Sequence, residues 1–179
     1  MKRLLSVIAM AAVGIGGVGL MAQAQVKKET VAGITNFAKV ESTVACAGAI
    51  TPQSVAEIKK MGYASIFNLR EATEQGANID AEAAAAKAAG ITFVHIPFNG
   101  TQPDPAVVDQ FIKAITVPGN NPAFIHCGGG NRAAAMWFIK RGVVDKWDID
   151  RAMAEAEQLG FTNQGLKTFA INYVKSNVK

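Results

Sequence analysis

The stretch at residues 124–133, FIHCGGGNRA, combines a short apolar run, a cysteine, three glycines and an arginine. The apolar run over 123–126 is typical of a buried strand, and the residues from Arg132 onward are typical of a helix. In an open α/β sheet, such a strand carries its last residues to the carboxyl edge, where ligands bind. The stretch therefore predicts an α/β fold with Cys127 at a functional edge.

The residues around Cys127 favour a reactive thiolate beside an anion-binding loop. Gly128, Gly129 and Gly130 allow positive φ angles and let successive N–H groups turn inward, which creates an anion-binding nest. The following helix adds the positive end of its dipole, and the guanidinium of Arg132 adds a fork that fits an oxyanion. We therefore expect a nucleophilic sulfur. The structural alternative is a buried cysteine beside an ordinary glycine turn.

Outward from this loop, strand-like and helix-like segments alternate along the chain. Strand-like runs span 40–47, 64–69, 91–96 and 123–126. Helix-like segments span 51–61, 80–90, 104–116, 132–141, 148–160 and 164–176. Strands that alternate with helices of this length indicate βαβ units. The predicted fold class is α/β, with a central, mostly parallel sheet flanked by helices and with C-terminal helices.

The first 24 residues are typical of a secretory signal. A basic pair, Lys2-Arg3, precedes an apolar run over 4–20, and an Ala-Gln-Ala cleavage pattern ends at Ala24. The run has 17 residues, whereas a membrane-spanning helix needs about 20, so an uncleaved anchor is the less favoured alternative. The predicted organisation is a signal peptide at 1–24, an N-terminal extension at 25–39 and one domain at 40–179. We expect a periplasmic or secreted protein, with membrane contact only if the signal stays uncleaved.

The composition excludes several classes of protein. With 50% hydrophobic and 18% charged residues, the 179-residue chain is not expected to be disordered. Two cysteines and two histidines argue against a closed four-ligand zinc site, and we expect no metal. The net charge of +4 falls to +2 once Lys2 and Arg3 are removed, and no basic stripe with interleaved aromatic residues is present. Nucleic acid is therefore not an expected partner.

The loop sequence resembles a known family of enzymes. The pattern His126-Cys127-x-x-Gly130-Asn131-Arg132 resembles the signature loop of protein tyrosine phosphatase-like and dual-specificity-phosphatase-like proteins. It is most similar to their bacterial branch with a beta-lactamase-hydrolase-like phosphatase domain. Further segments that resemble this branch are 48–52, 67–70, 90–97 and 147–160. The resemblance covers roughly residues 40–165 and implies a cysteine-phosphatase-like fold.

The resemblance also implies an activity. A phosphatase of this kind hydrolyses phosphate monoesters through a cysteinyl-phosphate intermediate, with Cys127 as the nucleophile and no cofactor. Gly128–Asn131 and Arg132 would bind the phosphate, and His126 would support the loop. The substrate would be a phosphorylated protein or a small phosphate ester. Such phosphatases take their general acid from an aspartate on a nearby loop, and Asp104 is the best-placed candidate, although its position favours a helix N-cap.

Departures from the family pattern leave two other functions open. Four residues separate Cys127 from Arg132, where the phosphatase loop usually has five. The shorter loop also resembles rhodanese-like sulfurtransferases, which would carry a persulfide on Cys127. Ala133 follows the arginine, where many phosphatases have Ser or Thr, and this favours a non-catalytic anion-binding module. Cys46 is interpreted as a buried cysteine or, in an oxidising compartment, as a reversible disulfide partner of Cys127.

Overall fold

The computed structural model describes residues 25–40 and 42–178. The predicted signal segment at 1–24 lies outside the described residues. Six strands span Val26–Lys28 (β1), Ala38–Val40 (β2), Val44–Ala47 (β3), Ser65–Asn68 (β4), Thr92–His95 (β5) and Ala123–His126 (β6). Six helices span Val55–Lys60 (α1), Ile79–Ala89 (α2), Pro105–Ile115 (α3), Asn131–Val143 (α4), Ile149–Gln158 (α5) and Gln164–Asn177 (α6), and a 3-10 turn at Pro52–Ser54 precedes α1. None of the helices in this described part combines the length and apolar character needed to cross a bilayer.

The strands form one sheet in the order β1-β2-β3-β6-β4-β5. β3, β6, β4 and β5 are parallel, whereas β1 and β2 join antiparallel beside β3. The single strand expected at 40–47 is thus two strands, with Val40 of β2 paired to Val44 of β3. The segment at 25–39, interpreted as an extension, supplies β1 and most of β2. The predicted α/β class with a mostly parallel sheet is confirmed.

The sheet carries an apolar core on each face. β3, β4 and β6 are buried along their full length, as expected for inner strands covered on both sides. Consecutive residues of β6 divide between the two cores, because side chains alternate across a strand. Phe124 belongs to one core together with Ile58 of α1, and Ile125 belongs to the other together with Phe111 of α3 and Trp137 of α4. Each large apolar side chain buried here contributes roughly 1.5–3 kcal/mol to folding.

Side-chain caps begin several of the helices. Asn78 accepts a hydrogen bond from the N–H of Ala81 and starts α2, so the expected start at Asp80 was two residues late. Gly90 ends that helix with a φ of 63°, a left-handed conformation that glycine adopts without steric cost. Asp148 caps α5 in the same way as Asn78 caps α2. These caps determine where α2 and α5 begin and where α2 ends before β5.

Candidate active site

The cysteine loop lies at the carboxyl edge of the parallel strands, between β6 and α4. Cys127 directly follows β6, and its N–H donates to the carbonyl of Ala47 at the end of β3 (3.2 Å). On the other side, the N–H of Leu69 donates to the carbonyl of His126 (2.9 Å). Both neighbouring strands therefore hold the start of the loop, and the side chain of Cys127 is buried beneath it.

The carbonyl groups of the loop accept hydrogen bonds from residues outside the loop, and this orients the loop amides toward its inner side. The carbonyl of Gly128 accepts a backbone N–H from the segment after β3 (2.9 Å), and that of Gly129 accepts Nδ2 of Asn36 (3.1 Å). In a trans peptide the C=O and the next N–H point in opposite directions. The amide of Gly130 accordingly donates to Sγ of Cys127 (3.1 Å). The amides of Gly129 and Gly130 therefore point to the inner side of the loop, and that of Gly130 contacts the thiol.

Two glycines make this loop geometry possible. Gly130 has a φ of 102°, in the left-handed region that favours glycine. A Cβ on Gly48 would lie 2.6 Å from Oγ1 of Thr35 and 3.0 Å from the carbonyl oxygen of Gly128. Gly48 thus lets the segment after β3 approach the loop closely enough for the backbone hydrogen bond to form.

Arg132 reaches from the first turn of α4 to Glu74, in the segment after β4. Its Nη1 donates to Oε1 of Glu74 (2.6 Å), and its Nη2 donates to Oε2 (2.8 Å). Nη1 also donates to the carbonyls of Leu69 (3.2 Å) and Phe98 (2.9 Å). These contacts hold the guanidinium plane in one orientation and engage mainly its Nη1 side. Within the described residues, Nε donates to no oxygen acceptor.

Charge and burial tune both partners of this pair. Burial raises the pKa of Glu74, but hydrogen bonds from Arg132, the N–H of Glu71 and Arg70, together with the Arg132 charge, lower it to about 2. Burial lowers the pKa of Arg132, but the Glu74 hydrogen bond and the negative charges of Cys127 and Glu74 give a net increase. A hydrogen bond to Cys127 raises it further. The guanidinium therefore lies beside both the carboxylate and the thiol.

Arg70 shapes the segment that delivers Glu74. Its buried guanidinium donates to the carbonyls of Gln75 (2.6 Å) and Gly76 (3.0 Å) and to Oε2 of Glu74 (3.3 Å). Glu74 was not identified from the sequence as a partner of Arg132. Its contact with Arg132 spans 58 residues, and no local pattern signals such a pair.

His126 is buried against a carboxylate on α2. Its Nε2 lies 3.2 Å from Oε2 of Glu82, and the same oxygen accepts Nδ2 of Asn68 (2.6 Å). In the described part of the chain, neither ring nitrogen makes a hydrogen bond of good geometry. The structure therefore places His126 behind the loop, away from solvent, with Glu82 as a neighbour that the sequence did not reveal.

Asn131 has a side chain engaged away from the cysteine. Its Oδ1 accepts the N–H groups of Thr162 and Asn163, each at 2.8 Å, and its Nδ2 donates to Oγ1 of Thr162 (3.2 Å). These bonds connect the start of α4 to the turn before α6. The predicted phosphate contact of Asn131 is thus left to its backbone, because its amide group joins two helices.

Asp104 lies at the N-terminus of α3. Its exposed carboxylate accepts the N–H of Ala106 (2.9 Å) and caps α3. A cavity of about 330 Å³ lies beside Arg132. It is lined by Glu71, Glu74, Asn99, Gly100, Thr101, Asn131, Arg132, Asn163 and Leu166. The structure therefore confirms the cap of α3, and the catalytic role of Asp104 stays a prediction.

A second cavity, of about 540 Å³, lies on the other side of the loop. The strand segment that carries Lys28 and Asn36 lines it together with Gly129 and Thr162. Gly129, the exposed apex of the loop, therefore faces this larger cleft, while Arg132 faces the smaller cavity.

Cys46 is buried on β3 and, like Cys127, is a free thiol. Burial raises the pKa of Cys46 well above its ordinary value, and the neighbouring Cys127 raises it further. Cys46 pairs in register with Ile125, two residues before Cys127. That offset and the spacing of adjacent strands separate the two Cα atoms by roughly 8 Å. This exceeds the range for a disulfide, so the structure favours the buried-cysteine interpretation.

Comparison with known proteins supports the family resemblance. The family model for the phosphatase-like domain of beta-lactamase hydrolase-like proteins matches residues 36–144. A beta-lactamase hydrolase-like protein of Xylella fastidiosa is 29% identical over 125 residues, which cover 68% of this chain and 28% of that protein. The chain therefore matches less than a third of the length of this relative.

Solved structures share the fold at lower sequence identity. P. aeruginosa TpbA, in a variant bound to phosphotyrosine, matches with a TM-score of 0.64 and 20% identity, over 87% of this chain and 91% of that chain. The core catalytic domain of the S. cerevisiae PP-IP phosphatase SIW14 matches with a TM-score of 0.64 and 16% identity, over 82% of this chain and 93% of that chain. These matches confirm the phosphatase-like fold expected from the sequence.

Proposed function

We propose a function from one premise: the chain belongs to the phosphatase-like domain family of beta-lactamase hydrolase-like proteins. It is on this basis a phosphatase-family enzyme, as the sequence predicts. The finer proposal is an exported, cysteine-dependent phosphatase that hydrolyses phosphate monoesters through a cysteinyl-phosphate intermediate. The substrate class is a phosphorylated protein or a small phosphate ester.

One observation carries this proposal. The amide of Gly130 donates to Sγ of Cys127, while Arg132 is held by Glu74 with its Nε side uncommitted in the described structure. Inward amides and a guanidinium edge around one thiol suit the equatorial oxygens of a phosphoryl group attached to that sulfur. The same groups stabilise the thiolate before the reaction.

The proposed reaction has two steps, transfer of the phosphoryl group to Cys127 and hydrolysis of the cysteinyl-phosphate. The thiolate of Cys127 attacks phosphorus, so that the S–P bond forms as the bond to the ester oxygen breaks, and the leaving oxygen takes up a proton. Arg132 and the loop amides hold the phosphoryl oxygens, where negative charge is greatest. Water then attacks phosphorus and loses a proton as the S–P bond breaks. Inorganic phosphate leaves, and the thiolate is restored.

The substrate class rests on the chemistry of the loop and on the structural neighbours. TpbA is seen with phosphotyrosine, and SIW14 is described as a PP-IP phosphatase. Both substrates present a phosphoryl group, which is the part that a ring of amides and one arginine recognises. We extend only this shared group to the present chain.

A kinetic experiment tests the enzyme proposal. The purified, reduced protein is given para-nitrophenyl phosphate, and nitrophenol release is followed for the wild type, Cys127→Ser and Cys46→Ala. We expect turnover in the wild type and in Cys46→Ala, which removes the other thiol, and none in Cys127→Ser. Wild-type turnover no higher than that of Cys127→Ser would overturn the phosphatase proposal. Thiosulfate-to-cyanide sulfur transfer by that sample would then identify a sulfurtransferase.

A separate measurement tests export. The protein is expressed in a bacterial host, and intact mass is measured on the periplasmic fraction. Cleavage after Ala24 would give a chain that begins at Gln25. Recovery of the full-length chain in the cytoplasm or membrane would contradict the proposed periplasmic or secreted location.

A further inference from the structure

The proposed first step needs a proton for the leaving oxygen, and the described carboxylates differ in their fitness to supply it. Asp104 is committed to the cap of α3. Asp109, on the same helix, accepts the hydroxyl hydrogen of Tyr173 and lines a separate cavity with Phe169. Neither of these aspartates lines the cavity beside Arg132.

Two carboxylates line that cavity within the described part of the chain, Glu71 and Glu74. Glu74 is held in a bidentate ion pair by Arg132, and its pKa is about 2. It is therefore ionised at neutral pH and carries no proton to donate. Glu71 forms no ion pair in the described structure, so its carboxylate remains available.

Asn99 holds the Glu71 carboxylate from across the cavity. Oδ1 of Asn99 accepts three donors: the N–H of Thr101 (2.9 Å), Oγ1 of Thr101 (2.7 Å) and the N–H of Gln102 (3.1 Å). Because three donors converge on this oxygen, the amide can have only one orientation. Its Nδ2 therefore faces Glu71, at 3.5 Å from Oε1 and 3.4 Å from Oε2.

The backbone of Glu71 is fixed to the arginine pair as well. Its N–H donates to Oε1 of Glu74 (2.8 Å), and the same oxygen accepts Nη1 of Arg132 (2.6 Å). Glu71 is thus connected through Glu74 to Arg132, the residue that would bind the phosphate.

We infer that Glu71 donates the proton to the leaving-group oxygen and that Asn99 positions its carboxyl group. This inference rests on the proposed phosphatase function. In the first step the ester P–O bond breaks as the oxygen takes the Glu71 proton, which releases a neutral alcohol and leaves a carboxylate. In the second step this carboxylate accepts a proton from the attacking water as the S–P bond breaks. The cycle restores protonated Glu71 and the Cys127 thiolate.

Leaving-group dependence separates this role from a structural one. Phenyl phosphate releases a strongly basic oxygen that needs a proton, whereas 2,4-dinitrophenyl phosphate releases a stable anion that needs none. For Glu71→Gln we expect kcat/KM on phenyl phosphate to fall about 10²–10⁴-fold, the usual range for loss of general acid catalysis. On 2,4-dinitrophenyl phosphate we expect kcat/KM to fall less than about tenfold, because this ratio reports the first step alone, in which that leaving group needs no proton.

Two further variants serve as matched tests. Asp104→Asn keeps a good N-cap residue, so it should leave kcat on both substrates unchanged. Asn99→Asp keeps the oxygen that accepts the Thr101 and Gln102 hydrogen bonds but cannot donate to Glu71. We expect the ratio of phenyl to dinitrophenyl turnover to fall in Asn99→Asp, with circular dichroism and Tm close to those of the wild type.

The outcomes separate this inference from the proposed function. An active wild type in which Glu71→Gln lowers kcat/KM equally on both substrates, or on neither, would overturn the role of Glu71 and leave the phosphatase proposal standing. A selective loss in Asp104→Asn would return the role to Asp104. A wild type that turns over neither substrate would overturn the phosphatase proposal and this inference together.

Discussion

Two arginines on one helix show how a residue that stabilises the fold differs from one that we propose binds substrate. Arg132 and Arg141 lie near opposite ends of α4, nine residues apart, and each pairs with a glutamate. Arg141 donates from Nε to Oε1 of Glu155 (2.8 Å) and from Nη1 to Oδ2 of Asp145 (3.0 Å). Both arginines are mostly buried, so burial and ion pairing alone do not distinguish them.

The two arginines differ in what surrounds the part of each guanidinium that is not paired with its glutamate. The Arg141 carbon Cζ lies 4.5 Å from the ring centre of Trp137 and 3.9 Å from that of Trp147. Its faces are thus covered by aromatic rings, and its nitrogens are occupied by carboxylates. Arg132 keeps one edge toward a thiol and a cavity. An arginine that is held firmly yet incompletely is suited to bind a ligand, because its orientation is already established.

The largest expected effect is on stability at the Arg141 end. Arg141→Met removes one partner from a buried pair and leaves Glu155, which is 1% exposed, without its cation. We expect the free energy of unfolding to fall by about 3–5 kcal/mol, the usual cost of such a loss. Urea denaturation measures this change. An unchanged free energy of unfolding in Arg141→Met would contradict the stabilising role of the Arg141–Glu155 pair.

The same substitution at the other end should act on catalysis instead. For Arg132→Met we expect kcat to fall by at least about 10²–10³-fold, because a donor to the developing charge is lost. We expect a smaller stability loss than in Arg141→Met, since Glu74 is partly exposed and can be hydrated. Steady-state assays with para-nitrophenyl phosphate, beside urea denaturation, test both parts. Full activity in Arg132→Met would contradict the proposed role of Arg132 in binding the phosphoryl group.

A glycine pair sharpens the comparison further. A Cβ on Gly142 would lie 2.6 Å from Cγ1 of Val174 in α6, and one on Gly48 would lie 3.0 Å from the Gly128 carbonyl oxygen. We expect either alanine substitution to destabilise the fold by about 1–3 kcal/mol through overpacking. Only Gly48→Ala should also lower kcat, because it displaces the cysteine loop. Equal activity losses in both variants would indicate that the loop responds to strain anywhere along α4.

The smallest expected effect is a pH dependence at the Arg132 end. The folded-state pKa of Glu74, about 2, lies below the ordinary glutamate value of 4.5. Its ionised form therefore stabilises the fold above about pH 4.5, and this contribution is lost as the pH falls toward 2. The difference in unfolding free energy between wild type and Glu74→Gln should be constant from pH 7 to about 5 and shrink at lower pH. A difference that does not change with pH would contradict the proposed ion pair.

Much of the fold followed from local sequence signals. The apolar run of β6, the three glycines and the start of α4 are adjacent in the chain, so their order alone indicated a strand, a loop and a helix. The strand predicted at 40–47 was less successful. Its two ends are apolar, and the polar residues Ser42 and Thr43 were not interpreted as a turn that separates β2 from β3.

The surroundings of the cysteine depended on contacts between distant segments. Cys127 and Arg132 could be identified because the motif contains both. Glu74 could not, because Arg70 and the carbonyls of Gln75 and Gly76 decide where its segment lies. For Asp104 the difficulty was different, because an aspartate before a proline is expected both in a catalytic loop and at a helix N-cap. The sequence alone does not distinguish these two roles.

The sequence by itself determined the α/β class, the family and the position of the cysteine loop, because each depends on residues that are neighbours in the chain. The tertiary structure decided which carboxylate pairs with Arg132 and which ones line the cavity beside it. The pair with Glu74 joins residues that are 58 apart, and the contact of Asn99 with Glu71 joins residues that are 28 apart. Local spacing in the sequence indicates neither contact.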